Sequence, residues 1–381
     1  MRSRFLMKAR EMMKMNTWKK RVAAGLAAGM LAFGGSFALQ PAPVADAGWG
    51  DLIGTVIGGF QAKAEAENQI KELDQTEEGR QALFASYQEE LGVEEYSPWE
   101  GVCSRAIERV SAGIAKSDPS VRDKPFLWFI NQDDTFNAFC SLGHVMSINR
   151  GLFYYLQNED EIAVVLGHEM GHGMKNHVAD GWRKKIDVAI GAQVLADMTN
   201  ASELRNVVLN TVVTQINQVS IGRAHEWEAD GLALKYITDA GYNPGAAAAV
   251  WQRFMEQMGD NRQNFVSEMF DPSDHPTNKE RRDKYMQSVK EYSGGHVEVK
   301  DGVVYVKGKQ FVVPAETDNM SSAERAYFVQ GNLAAAYHNG HNKESAYADG
   351  NVVMLGAQPV MTCLRGDDSA AALAEKLNQV K

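Results

Sequence analysis

Asn158-Glu159-Asp160-Glu161-Ile162-Ala163-Val164-Val165-Leu166-Gly167-His168-Glu169-Met170-Gly171-His172 is the stretch on which the reading of this chain turns. It opens as a helix should. Asn158 can cap, Glu161 follows three residues on, and three acidic residues crowd the first turn, facing the positive end of the helix dipole. Ile162, Val164, Val165 and Leu166 then carry the helix into an H-E-x-x-H pattern. Residues four apart share a helix face, so His168 and His172 can reach one ion. Two imidazoles suit zinc, which keeps one position open for water in a reactive site. Glu169 lies beside that face, where it can take a proton from the activated water as general base.

A third ligand has to come from elsewhere. The metzincin pattern needs a Gly and then a His where this chain has Lys175 and Val178, so that type is excluded. His177 lies one residue off and reads as a hydrogen-bonded helix histidine. Downstream stands Glu226-Trp227-Glu228-Ala229-Asp230, beginning 54 residues after His172. Glu226 and Asp230 share a helix face. Glu226 can complete a two-His, one-Glu site, and Asp230 can hold the other nitrogen of a ligand histidine.

With these residues in view, the chain resembles metallopeptidase family 48, the HtpX, BepA and CAAX prenyl endopeptidase type, in a soluble exported bacterial branch. The similarity covers about residues 96–290. It rests on Asn137-Ala138-Phe139, on His168 to His172, on Glu226 to Asp230, and on His275-Pro276 with Arg281. The resemblance implies an α+β fold: a mainly helical, gluzincin-like metallopeptidase core with a small β-sheet. It implies that Asn137, Ala138 and Phe139 open an edge strand that pairs with extended substrate. It also implies that His275 and Arg281 lie over the metal and stabilise the developing oxyanion or gate access. One departure stands out: Leu142-Gly143-His144 replaces the family's usual Pro-Gly-Gly, which alters the local backbone and the substrate approach.

Working outward, residues 1–47 read as a signal peptide. Lys19, Lys20 and Arg21 precede an apolar run from Val22 to Leu39, and Ala45-Asp46-Ala47 offers cleavage after Ala47. Residues 48–95 form an N-terminal helical segment and 96–295 the zinc metallopeptidase domain. Within the latter, a helix is expected from Pro98 to about Lys116, a buried strand at 125–130, and a second strand from Ala138 to Ile148 with a short helix after it. Asn243-Pro244-Gly245 places a proline at the start of another helix.

Residues 296–381 read as a small C-terminal α+β accessory domain. It has a hairpin turning at Asp301-Gly302, a helix from Ser321 to about His338, strands at 352–355 and 360–364, and a closing helix from Ser369 to Val380. No chemical motif and no repeat of useful period is evident there.

The chain has 381 residues, 39 of them basic and 49 acidic, a net charge of −10. Eight basic and two acidic residues lie in 1–47, so the rest carries −16. Such a surface repels phosphate backbones and argues against nucleic-acid binding. Cys103, Cys140 and Cys363 allow one disulfide or three thiols. The expectation is therefore an endopeptidase of the periplasm or cell envelope with one zinc per chain. It would act on unfolded or misassembled envelope proteins and have no stable membrane span after cleavage. The rival reading is an exported chaperone-like binding protein with a gated or mainly structural zinc site. Intramembrane cleavage of prenylated peptides is disfavoured, because multiple apolar spans are missing.

Overall fold

The computed structural model describes residues 64–156, 158–190, 201–214, 216, 221–258 and 276–381. The expected signal peptide and His275 lie outside them. Two helices come first, α1 (64–75) and α2 (Glu77–Leu91), with Thr76 accepting from the Gly79 N–H to start the second. Helix α3 (Glu100–Ile114) follows, and then a small sheet.

That sheet holds β1 (Leu127–Asn131), β2 (Ala138–Cys140) and β3 (Val145–Asn149) in the order β1-β3-β2. β1 runs parallel to β3, and β2 antiparallel to it. The single strand expected over 138–148 is thus two strands folded back on each other. Gly143 and His144 are the cause, with φ values of 70° and 56°, and consecutive left-handed residues reverse a chain. The Gly143 backbone is gripped at both polar groups. Its N–H donates to Asp74 at 2.8 Å, and its carbonyl accepts from Arg80 Nε at 2.6 Å. His144, the bulky departure noted in the sequence, is a buried plug. Its ring stacks on Phe126 with centroids 4.5 Å apart, and Nδ1 lies 2.7 Å from the Lys124 carbonyl.

Helix α4 (Glu159–Met174) carries the key motif and is capped as its sequence dictates, with the Glu161 N–H donating to Asn158 Oδ1 at 2.9 Å. Helices α5 (His177–Ile190), α6 (Ala201–Thr214) and α7 (Arg223–Asp239) follow. Gly167 and Gly171 face α7. A Cβ on Gly167 would meet Ile237 at 3.3 Å, and one on Gly171 would meet Leu232 and the Ala229 carbonyl at 3.4 Å. Small residues on both helices, with Ala229 and Ala233 opposite, let the backbones approach. That approach brings Glu226 within reach of the two histidines. Helix α8 (Ala246–Met258) starts two residues after Pro244, because Asn243 Oδ1 accepts from Gly245 N–H and makes the cap there. α9 spans Asn278–Tyr292, opened by a capping box of Thr277 and Glu280.

The C-terminal stretch contains β4 (Val297–Lys300), β5 (Val303–Val306), β6 (Lys309–Val312) and helix α10 (Ser322–His338), then β7 (Ala346–Asp349), β8 (Val352–Leu355), β9 (Gln358–Thr362) and helix α11 (Ala370–Val380). Each trio is an antiparallel sheet in chain order. β6 and β7 were not expected from sequence. They reveal a repeat that the sequence reading missed: three strands and a helix, twice, with the strands offset by 49 residues. Even the register slips match, between Val304 and Tyr305 in one sheet and Val353 and Met354 in the other.

This stretch shares one buried apolar core with α3, α4 and α8, running from Cys103 to Val380. Arg253 of α8 fastens it. The buried guanidinium donates to Glu324 of α10 at 2.5 Å and to Glu161 of α4 at 3.0 Å. A second cluster, with Leu83, Tyr87, Phe129, Phe139 and Leu142, joins α2 to the other face of the sheet. All three cysteines are free thiols. Among the described residues no helix is long and apolar enough to cross a membrane.

Candidate metal centre and hydrolytic site

The α4–α7 contact brings His168, His172 and Glu226 together as a buried trio. His168 Nε2 and His172 Nε2 are 3.1 Å apart, and Glu226 carboxylate oxygens lie 3.6 Å and 3.5 Å from them. Four ligands held tetrahedrally about 2.0–2.1 Å from a zinc ion stand roughly 3.3–3.4 Å from one another. The spacing therefore fits a small divalent ion.

The outward nitrogens of the two rings decide what the inward ones present. His168 Nδ1 lies 2.9 Å from Asp230 Oδ1, an atom that can only accept while ionised. A neutral His168 with its proton on this side would turn a free Nε2 toward His172 and Glu226. His172 Nδ1 is likewise engaged, 2.9 Å from His177 Nδ1. Two imidazole nitrogens and a carboxylate thus converge at a buried point where a cation could be held. Imidazole and carboxylate ligands of this kind suit a divalent transition metal.

The electrostatics follow from burial and neighbours. Burial opposes charge on His168, but Asp230 and Glu226 outweigh it and hold the ring above its ordinary range. His172 is equally buried, and desolvation pushes it well below. Glu169 is adjacent in sequence but turned toward the sheet, where the Cys140 N–H donates to its Oε2 at 3.1 Å. Burial pushes its carboxyl up to about 7.

Strand β2 presents this N–H for a structural reason. Asn137 and Ser141 make their backbone bonds to β3, through Asn149 N–H to Asn137 O and Ser141 N–H to Val145 O. The alternating residues Ala138 and Cys140 therefore turn theirs away from the sheet, toward the site. The Ala138 N–H is covered by Asn137 Oδ1 at 2.9 Å. The Phe139 ring packs under α2 against Tyr87, with centroids 5.2 Å apart.

Arg281 is placed differently from the expectation of an oxyanion donor or gate. It is buried on α9 behind the ligands. Nη2 pairs with Glu226 and Nε lies 2.9 Å from Asp230, while the guanidinium lies over the Trp251 ring at 4.5 Å. Tyr285, one turn on, donates to Asp230 at 3.0 Å. Sequence reasoning passed over Tyr285 and Trp251 altogether. The only available signal was Tyr285 four residues after Arg281, on one face of the same helix.

Residues 104–287 match the model of Peptidase family M48. Among curated proteins, the mitochondrial metalloendopeptidase OMA1 of Arabidopsis thaliana is 30% identical over 145 residues, covering 38% of this chain and 28% of that protein. The beta-barrel assembly-enhancing protease of Escherichia coli is 26% identical over 140 residues, 35% of this chain and 29% of the relative. OMA1 of Schizosaccharomyces pombe matches over 49% of this chain and 52% of its own length at 26% identity. The chain thus spans about a quarter to a half of the length of these relatives.

Proposed function

We propose that this chain, which belongs to peptidase family M48 through residues 104–287, is a zinc metalloendopeptidase. The observation that carries the reading is the convergence of two imidazole nitrogens and one carboxylate, with a second carboxylate, Glu169, next to His168 and held by the Cys140 N–H. His168, His172 and Glu226 would hold the ion. When bound, zinc supplies the positive charge that acidifies water and polarises a carbonyl.

The remaining chemistry belongs to the chain. Glu169 takes the proton from the attacking water and delivers it to the leaving amine. Burial favours its neutral form near neutrality, and the Cys140 N–H steadies the ionised form, so the group can serve in both states. Asp230 orients His168. Arg281, with its charge already committed to Glu226 and Asp230, positions both carboxylates and does not face the reacting carbonyl. Asn137, Ala138 and Phe139 form the start of the strand along which extended substrate lies, accepting from substrate through outward carbonyls. His275 is proposed to act over the metal on the strength of the family resemblance alone.

An edge-strand site takes extended chain, so the substrates proposed are unfolded or misassembled polypeptides. Location in the cell envelope, a signal peptide ending at Ala47 and an accessory role for 296–381 belong to the same proposal. Two relatives are named beta-barrel assembly-enhancing proteases, which supports the proposed polypeptide substrates. The test is Glu169→Gln. Zinc should be retained and cleavage of a denatured protein lost. Cleavage that persists in this variant rejects Glu169 as the base.

A further inference from the structure

The two histidines proposed to bind metal are not held alike. His168 leans directly on a carboxylate, Asp230. His172 leans on another histidine, His177, which the sequence offered only as an ordinary helix residue. His177 is buried, and its ring is clasped on three sides. Nδ1 lies 2.9 Å from His172 Nδ1, Nε2 lies 3.3 Å from Glu228 Oε2, and the ring stacks on His225 with centroids 4.2 Å apart and planes within 10°. Glu228 is half exposed and is itself anchored by Lys175 at 3.2 Å.

The hydrogens fall into one order when both rings are neutral and His172 Nε2 is to face an ion. Glu228 accepts, so His177 carries its proton on Nε2. His177 Nδ1 is then bare and accepts from Nδ1–H of His172. That proton leaves His172 Nε2 bare, aimed at His168 Nε2 and Glu226. The opposite ordering would move the His172 proton to Nε2, on the side the proposed ion occupies, so metal binding selects the ordering in which His177 accepts.

We propose that His177 and Glu228 are positioning residues for the metal centre: a carboxylate–imidazole relay that fixes the tautomer and ring plane of His172. The inference rests on the proposed zinc site. It adds that the second ligand depends on a partly exposed carboxylate reached through one intervening ring. It follows that Glu228, though some distance from the ion, shares control of its affinity, and that Lys175 does so more weakly.

The experiment measures zinc affinity by chelator competition on the full chain, alongside the thermal midpoint of each metal-free variant. Wild-type binding is the reference, and its absence would reject the zinc reading itself. His177→Phe keeps the stack on His225 but offers no acceptor. It should weaken zinc binding roughly 10–100-fold, the usual effect of removing such a partner. His177→Asn places an amide oxygen near the position of Nδ1 and should restore affinity to within a few-fold of wild type. Glu228→Ala should weaken binding by roughly 3–10-fold in the wild type and by nothing in the His177→Asn background, since the relay is already cut there. Should His177→Phe fail to fold, the Glu228→Ala comparison in the two backgrounds decides alone. Equal zinc affinity in His177→Phe and wild type, or a Glu228→Ala effect of the same size in both backgrounds, overturns the proposal.

Discussion

Replacing Arg281 by methionine tests whether it acts on the ligands or on the substrate. The guanidinium pairs with both Glu226 and Asp230, and all three groups are almost wholly buried. Methionine keeps the apolar stem of the side chain and removes the guanidinium, so the charge is lost together with its contact over Trp251. Removing one partner of a buried ion pair costs about 3–5 kcal/mol, because the remaining charge stays in a poor solvent. Here two carboxylates are stranded, so the upper part of that range applies to the metal-free protein. At roughly 2 °C per kcal/mol for a domain of this size, the metal-free midpoint should fall by about 8–10 °C. Zinc would recover much of this loss, because it returns positive charge to Glu226.

The assay is differential scanning calorimetry of wild type and Arg281→Met, with chelator and with added zinc, plus cleavage rates at saturating zinc. A large metal-free loss that zinc narrows supports the positioning role. An unchanged metal-free midpoint combined with a hundredfold fall in kcat would refute it, and would return Arg281 to the oxyanion.

Three further outcomes are expected. His144 is buried and its pKa is lowered by desolvation from 6.5 to about 4, so the unfolded chain binds a proton in this window that the native protein refuses. Stability should therefore fall as pH drops from about 6.5 to 4, by roughly 2–3 kcal/mol from this group; His144→Phe should flatten that part of a urea-denaturation profile, and an unchanged slope would contradict the burial argument. Gly143→Ala puts a Cβ 2.6 Å from Arg80 Cγ and 2.9 Å from the Leu73 carbonyl at a φ of 70°, so it should cost at least about 2 kcal/mol and slow cleavage by shifting the turn next to β2. Deleting residues 296–381 strips the core from α8 and removes Glu324 from Arg253, so the shortened chain should be insoluble or unfolded by circular dichroism; a folded, active fragment would show that the shared core is dispensable.

The parts of the site that were legible in the sequence are those fixed by local geometry. A capped helix with histidines four apart specifies its own ligand face, and an E-x-E-A-D turn on a second helix needs only a close crossing to supply the carboxylate. The crossing itself was not legible. It depends on Gly167 and Gly171 meeting Ala229 and Ala233, which no periodicity announces.

Arg281 was found by resemblance, yet its direction depends on where α9 lies, and that is a tertiary fact. His177 was dismissed because a lone helix histidine is usually structural. Its meaning appears only when the outward nitrogen of His172 is followed to its partner. The duplicated C-terminal unit stayed hidden because the offset preserves strand lengths, turns and a register slip, and few side chains. Asp301-Gly302 and Gly350-Asn351 turn the chain at corresponding places, but positive φ falls on both residues of the first pair and on Gly350 alone in the second. The two short strands β6 and β7 have polar, half-exposed sequences that carry little alternation.

The central claim is that a divalent metal held by His168, His172 and Glu226 performs peptide hydrolysis. It is tested most directly by metal analysis and casein cleavage on one preparation, for wild type and His172→Ala, before and after chelation. The account predicts one zinc per wild-type chain, cleavage that chelator abolishes and added zinc restores, and neither zinc nor cleavage in a folded His172→Ala protein. Wild-type cleavage that survives complete removal of metal, or a folded wild-type chain that takes up no stoichiometric zinc, would contradict it.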